Sequence, residues 1–140
     1  MIKLIVGKKG SGKTKTLIHD ANEAVKKAKG NIVFVDVDSS HMFQIDYKIR
    51  FISLKDYQIT NEDIFYGYIC GITASNYDIE SIYVDDLLKA TEKSLEELED
   101  FFKKLDMLEI KYNVNFIFTI SSDVEEIPDY LKKYMLEVLY

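Results

Sequence analysis

One octapeptide near the start of the chain limits what the rest can become. Gly7-Lys8-Lys9-Gly10-Ser11-Gly12-Lys13-Thr14 satisfies G-x-x-x-x-G-K-[ST] at every fixed position. An apolar run, Ile2 to Val6, leads into it, and a helix-favouring run beginning with Lys13-Thr14-Lys15 leads out. Strand, glycine loop and helix in that order form a context that a chance glycine turn lacks. Glycines let the backbone curl until successive N–H groups face an anion. The first turn of the following helix adds unpaired N–H groups and the positive end of its dipole. The stretch from Gly7 through Lys15 is therefore a predicted phosphate cradle. In it Lys13 reaches the outer phosphates and the Thr14 hydroxyl holds Mg²⁺.

The remaining pattern alternates strand and helix. Ile2–Val6 reads as a first strand, and Lys13–Lys29 as a helix whose apolar stripe holds Leu17, Ile18, Ala21, Ala24, Val25 and Ala28, stopped by Gly30. Strands are expected at 31–38, at 50–54 near an edge, at 81–85 and at 114–120. Thr60-Asn61-Glu62-Asp63 is a capping start for a helix with Ile64, Phe65, Tyr68, Ile69 and Ile72 inward. Its Gly67 and Gly71 each weaken it by about 1 kcal/mol unless they permit close packing on the sheet. Ser94-Leu95-Glu96-Glu97 is a capping box for a helix to Tyr112. Pro128 opens a last helix with Tyr130, Leu131, Tyr134, Met135 and Val138 buried.

This order predicts an α/β three-layer sandwich over residues 1–140, a mostly parallel five-stranded sheet with helices on both faces and no linker or repeat. In such sheets ligands sit at the C-terminal strand ends. The glycine loop, Asp36/Asp38, Asp85/Asp86 and Ser121/Ser122/Asp123 all lie at such ends and are expected to converge. Ser39–Ile49 is long enough to be a mobile segment.

Composition removes several function classes. A net charge of −6 disfavours general nucleic-acid binding, which needs a basic surface to displace counterions. The single cysteine, Cys70, fits a reducing compartment and a small buried side chain. No charged start with an apolar core precedes the glycine loop, and no apolar run approaches the ~20 residues of a membrane span. A cytoplasmic protein is the expectation. Arg50 is the sole arginine, so it alone is available as an arginine on a transferring phosphate.

On the glycine loop and its flanks the chain resembles the P-loop NTPases. That resemblance implies ATP with Mg²⁺; ATP is preferred to GTP because no N/T-K-x-D element is present. Ile82-Tyr83-Val84-Asp85 resembles the Walker B element, which makes Asp85 the candidate Mg²⁺ residue beside Thr14. Many ATPases place a glutamate next; Asp86 is one methylene shorter, a departure unfavourable to fast hydrolysis. Lys8 in the loop and Asp36 after the next strand resemble the deviant Walker A ATPases of the MinD/ParA type. There the lysine reaches the partner's phosphate across a nucleotide-sandwich homodimer and the aspartate handles water or Mg²⁺. Lys9 stands where that group has glycine, and the chain is shorter. Thr119, Ser121 or Ser122 would match the polar sensor of RecA/AAA-like ATPases or merely cap a turn. His19 and His41 show no metal spacing; His19 reads as a helix-surface residue and His41 as a loop residue that could touch nucleotide.

The chain is also generally similar to short clostridial proteins labelled PilT-like ATPases, but lacks room for the added N-terminal domain and arginine-bearing regions of a retraction motor. The functional expectation is a slow Mg²⁺-ATPase switch working with a protein partner or as a homodimer. Lys13 stabilises phosphate charge, and Asp36, Asp86 or both orient water. The alternatives are a nucleotide-binding regulatory module without significant turnover and a small-molecule or nucleotide kinase.

Overall fold

The computed structural model describes residues 1–140. Six strands form one sheet: β1 (Ile2–Gly7), β2 (Asn31–Asp36), β3 (Arg50–Ser53), β4 (Ile79–Val84), β5 (Asn115–Ser121) and β6 (Met135–Leu139). Their order is β3-β2-β4-β5-β1-β6, and every neighbouring pair is parallel. Four helices connect them: α1 (Lys13–Lys27), α2 (Glu62–Ser75), α3 (Leu87–Thr91) and α4 (Glu99–Tyr112).

Strand alternation explains the near-continuous apolar runs. Successive side chains point to opposite faces. Leu4 and Val6 of β1, Val33 and Val35 of β2 and Phe116 and Phe118 of β5 join one core with α2, α3 and α4. Ile5, Ile32, Phe34 and Ile117 join the other with Leu17, Ile18 and Ala21 of α1. Both faces are covered, so both alternations must be apolar. The three layers and the helices on both faces follow.

The sheet has six strands, not five, because the expected C-terminal helix is absent. After Pro128 only a single tight turn forms, Asp129–Leu131, and the chain then extends as β6 along the outer edge of β1. Leu136 packs into the first core and Leu139 into the second, a period of two that a helix could not satisfy. Helix propensity in this segment is outweighed by the ladder that β1 offers. Of the residues expected inward, Leu131 is fully buried, whereas Met135 is exposed. The Tyr134 hydroxyl donates to Asp106 of α4 at 2.8 Å, and that of Tyr130 donates to the Leu95 carbonyl.

Smaller differences have local causes. The Ser94 box exists, with Glu97 accepting from the Ser94 N–H at 3.2 Å and its hydroxyl at 3.0 Å, but it begins a short tight turn, Leu95–Glu97, before α4. Asn61 caps α2 through the Ile64 N–H at 2.9 Å. Gly67 and Gly71 are exposed, with open space where a Cβ would stand, so they serve no close packing. The segment 39–49 is tethered: Ile45 and Ile49 are buried, and Asn22 of α1 donates to the Gln44 carbonyl and accepts from the Asp46 N–H, both at 2.9 Å. No helix is long and apolar enough to cross a membrane.

Candidate functional site

A cleft of about 480 Å³ opens at the C-terminal ends of β1, β2, β4 and β5. The glycine loop forms one wall. Gly10 and Gly12 hold φ of +84° and +93°, the left-handed region that glycine enters without a Cβ penalty. Gly7 serves differently: a Cβ there would collide with Ser11 and the Leu139 carbonyl, so the loop and β6 close over it. The first intrahelical bond is Thr16 N–H to Gly12 O. The N–H groups of Lys13, Thr14 and Lys15 have no partner in the chain.

Lys13 is 8% exposed, and its ammonium donates to the Lys8 carbonyl at 2.9 Å. Burial pushes this ammonium below its ordinary value, opposed by the negative charges of Asp85 and Asp86. Thr14 stands one residue on, where its hydroxyl meets both carboxylate oxygens of Asp85, at 3.1 and 2.9 Å. Asp85 follows β4, and its N–H is bonded to the Val35 carbonyl at 2.9 Å. Because β5 lies between β1 and β4, Thr119 can reach across: its hydroxyl donates to Asp85 at 2.7 Å and accepts from the Asp86 N–H at 2.7 Å. Asp86, at φ +60°, turns the chain so that its own carboxylate caps α3 through the Lys89 N–H at 3.3 Å.

Asp36 is buried at the end of β2. One carboxylate oxygen accepts from the Val37 N–H at 2.7 Å and the other lies 2.9 Å from His41 Nδ1. Burial pushes this carboxyl up, and the bonds from His41 and Val37 pull against that rise. Asp38 accepts from the Ser40 N–H and hydroxyl at 3.0 and 2.7 Å, which hold it below the usual carboxylate range. The ligand atoms of Asp36, His41 and Asp85 all lie within 4.8 Å of one another.

The strand-end residues converge only in part. Lys9, Gly10, Gly12, Lys13, Thr14, Lys15, Asp36, Asp38, Asp85, Asp86, Thr119 and Ser121 line the cleft. Ser122 and Asp123 face a separate depression beside β6, together with Gly7 and Lys8. The Lys8 ammonium, on a side chain 79% exposed, lies 3.4 Å from Asp123 and outside the cleft. Ser11, within the loop, has its Oγ buried and unpaired and does not line the cleft. Arg50 sits at the N-terminal end of β3, away from the cleft.

Two polar cleft residues, Ser40 and Lys89, escaped the sequence reading, and His41 figured in it only as a loop residue. His41 follows Asp36 by five residues, which is no recognised spacing. Ser40 and Lys89 lie in a turn and a short helix whose course the sequence did not reveal. The one available signal was a lysine three positions after Asp86, within one helical turn.

No family model matches the chain, and no curated protein matches it. Among solved structures it is similar to the flagellar accessory protein FlaH from Methanocaldococcus jannaschii, with a TM-score of 0.57 and 16% identity over 91% of this chain and 63% of that one. The chain thus spans less than two thirds of that protein's length, and at this identity the likeness is one of fold.

Proposed function

We propose that this chain is a P-loop NTPase that binds Mg²⁺·ATP in the cleft at the strand ends and acts as a slow ATPase switch. The observation that carries the reading is the bond between the Thr14 hydroxyl and Asp85, one residue beyond a buried Lys13 and beside three unpaired N–H groups. Cationic and N–H donors on one wall and oxygen donors on the other are what a phosphate chain carrying a hard divalent ion requires. The donor set fits Mg²⁺: a hydroxyl and a carboxylate, with cleft space for retained waters. When bound, that ion neutralises charge on the phosphates and fixes their geometry. The loop amides and Lys13 hold the phosphate oxygens, and Thr14 and Asp85 face the ion. Asp36 is the carboxylate best placed to orient water, as it lines the cleft without touching Thr14.

A second reading, a nucleotide-binding module with negligible turnover, is favoured by a specific feature. Both oxygens of Asp36 are already engaged by Val37 and His41, and Asp86 caps α3, so each candidate base has another hydrogen bond to break. The placement of Lys8 beside Asp123 gives the sandwich-dimer idea no support within one chain.

The deciding experiment measures ATP affinity by calorimetry and phosphate release with and without Mg²⁺, for wild type and Lys13→Ala. Binding lost in Lys13→Ala is the expected result. Equal affinity in the two proteins overturns the assignment, and binding without phosphate release selects the second reading. Phosphate passed to an added hydroxyl acceptor rather than to water selects a kinase.

A further inference from the structure

Four lysines line the cleft, and none of them forms an ion pair, although four aspartates line the same space. Three belong to the glycine loop or its helix: Lys9, Lys13 and Lys15. The fourth, Lys89, comes from α3 on the far side of the acidic strand ends. Leu87, Ala90 and Thr91 of α3 are buried, which leaves position 89 on the open side. The Lys89 N–H is bonded to Asp86, so the root of the side chain is fixed beside the acids while its flexible four-carbon stem is free to swing. Lys89 and Asp38 line the same cleft.

An anion entering this cleft meets cations at the glycine loop and then a wall of carboxylates that repels it. The phosphate farthest along carries the most charge, about −1.5 to −2 for a terminal phosphate at neutral pH, and lies nearest that wall. A cation beyond the acids is what makes this last position tolerable. Arg50 stands at the wrong end of β3, and His41 Nδ1 is engaged by Asp36. Lys89 is the remaining cation.

We propose that Lys89 contacts the terminal phosphate of a bound nucleoside triphosphate and makes the cleft select triphosphate over diphosphate. The proposal rests on the reading of the cleft as a Mg²⁺-nucleotide site. Lys89 meets the terminal phosphate from α3, while the glycine loop and Lys13 hold the outer phosphates from the other wall, so two separate elements recognise the chain. A diphosphate held by the loop alone leaves Lys89 without a partner.

The test is calorimetric titration of wild type, Lys89→Ala and Lys89→Arg with Mg²⁺·AMP-PNP and with Mg²⁺·ADP, which reads binding whether or not the protein turns ATP over. Lys89 is exposed, so all three proteins are expected to share one thermal midpoint. The expected result is about a tenfold loss of AMP-PNP affinity in Lys89→Ala, ADP affinity within twofold, and recovery of most of the loss in Lys89→Arg. Unchanged affinities, or equal losses for both nucleotides, overturn the proposal and leave the cleft assignment standing. Failure of wild type to bind either nucleotide overturns the cleft assignment and this proposal with it.

Discussion

The Thr14 hydroxyl and the Asp85 carboxylate, 71 positions apart in the chain, meet at 2.9 and 3.1 Å. The contact joins the helix that leaves the glycine loop to the end of a strand two places away in the sheet. Residues that share one ion should not contribute independently. Thr14→Val and Asp85→Asn are each expected to reduce Mg²⁺-dependent ATP affinity about tenfold, a loss of ~1.4 kcal/mol. The double variant should lose little more than either. A magnesium titration of ATP binding for the four proteins checks this, and simple additivity would count against a shared ion.

Lys13 is a buried ammonium with one hydrogen-bond partner, a costly arrangement for the fold by itself. Lys13→Met should therefore raise the thermal midpoint of the ligand-free protein by about 3 °C. It should also abolish the shift that ATP produces, which for wild type amounts to about 2.7 kcal/mol at a hundred times Kd. Differential scanning fluorimetry with and without Mg²⁺·ATP reads both effects.

The glycines divide by what surrounds them. Gly7→Ala sets a methyl against Ser11 and the Leu139 carbonyl and is expected to cost about 1–3 kcal/mol. Gly67→Ala and Gly71→Ala fill open space on α2 and should each stabilise by about 0.5–1 kcal/mol. Urea midpoints at constant m-value separate the two classes.

Asp36 provides a pH test. Its folded carboxyl is raised by burial above the unfolded value of about 3.9. The folded state then holds a proton that the unfolded chain has released, so this group's stabilising contribution is present below that value and is lost as pH rises through the folded one. Asp36→Asn should accordingly be more stable than wild type at pH 7, with the gap closing toward pH 4. Thermal midpoints from pH 4 to 8 measure it, and a gap that does not change with pH would refute the assignment.

Sequence alone determined the glycine loop, the two-sided sheet and the acidic strand ends, because each is written in local pattern. Gly10 and Gly12 are where φ turns positive. Ile2–Val6 and Ile32–Val35 are apolar on both alternations because both faces are covered. The tertiary structure decided what local pattern does not encode. Residues 135–139 read as part of a helix, and the free edge of β1 made them a strand. Lys8 belongs to the octapeptide yet turns to Asp123, because the loop's curl directs its side chain toward β6. His41 and Lys89 entered the cleft because β2 and β4 are neighbours, which brings the segments following each of them to one place. Strand order is a property of long-range pairing, and no spacing within 140 residues reveals it.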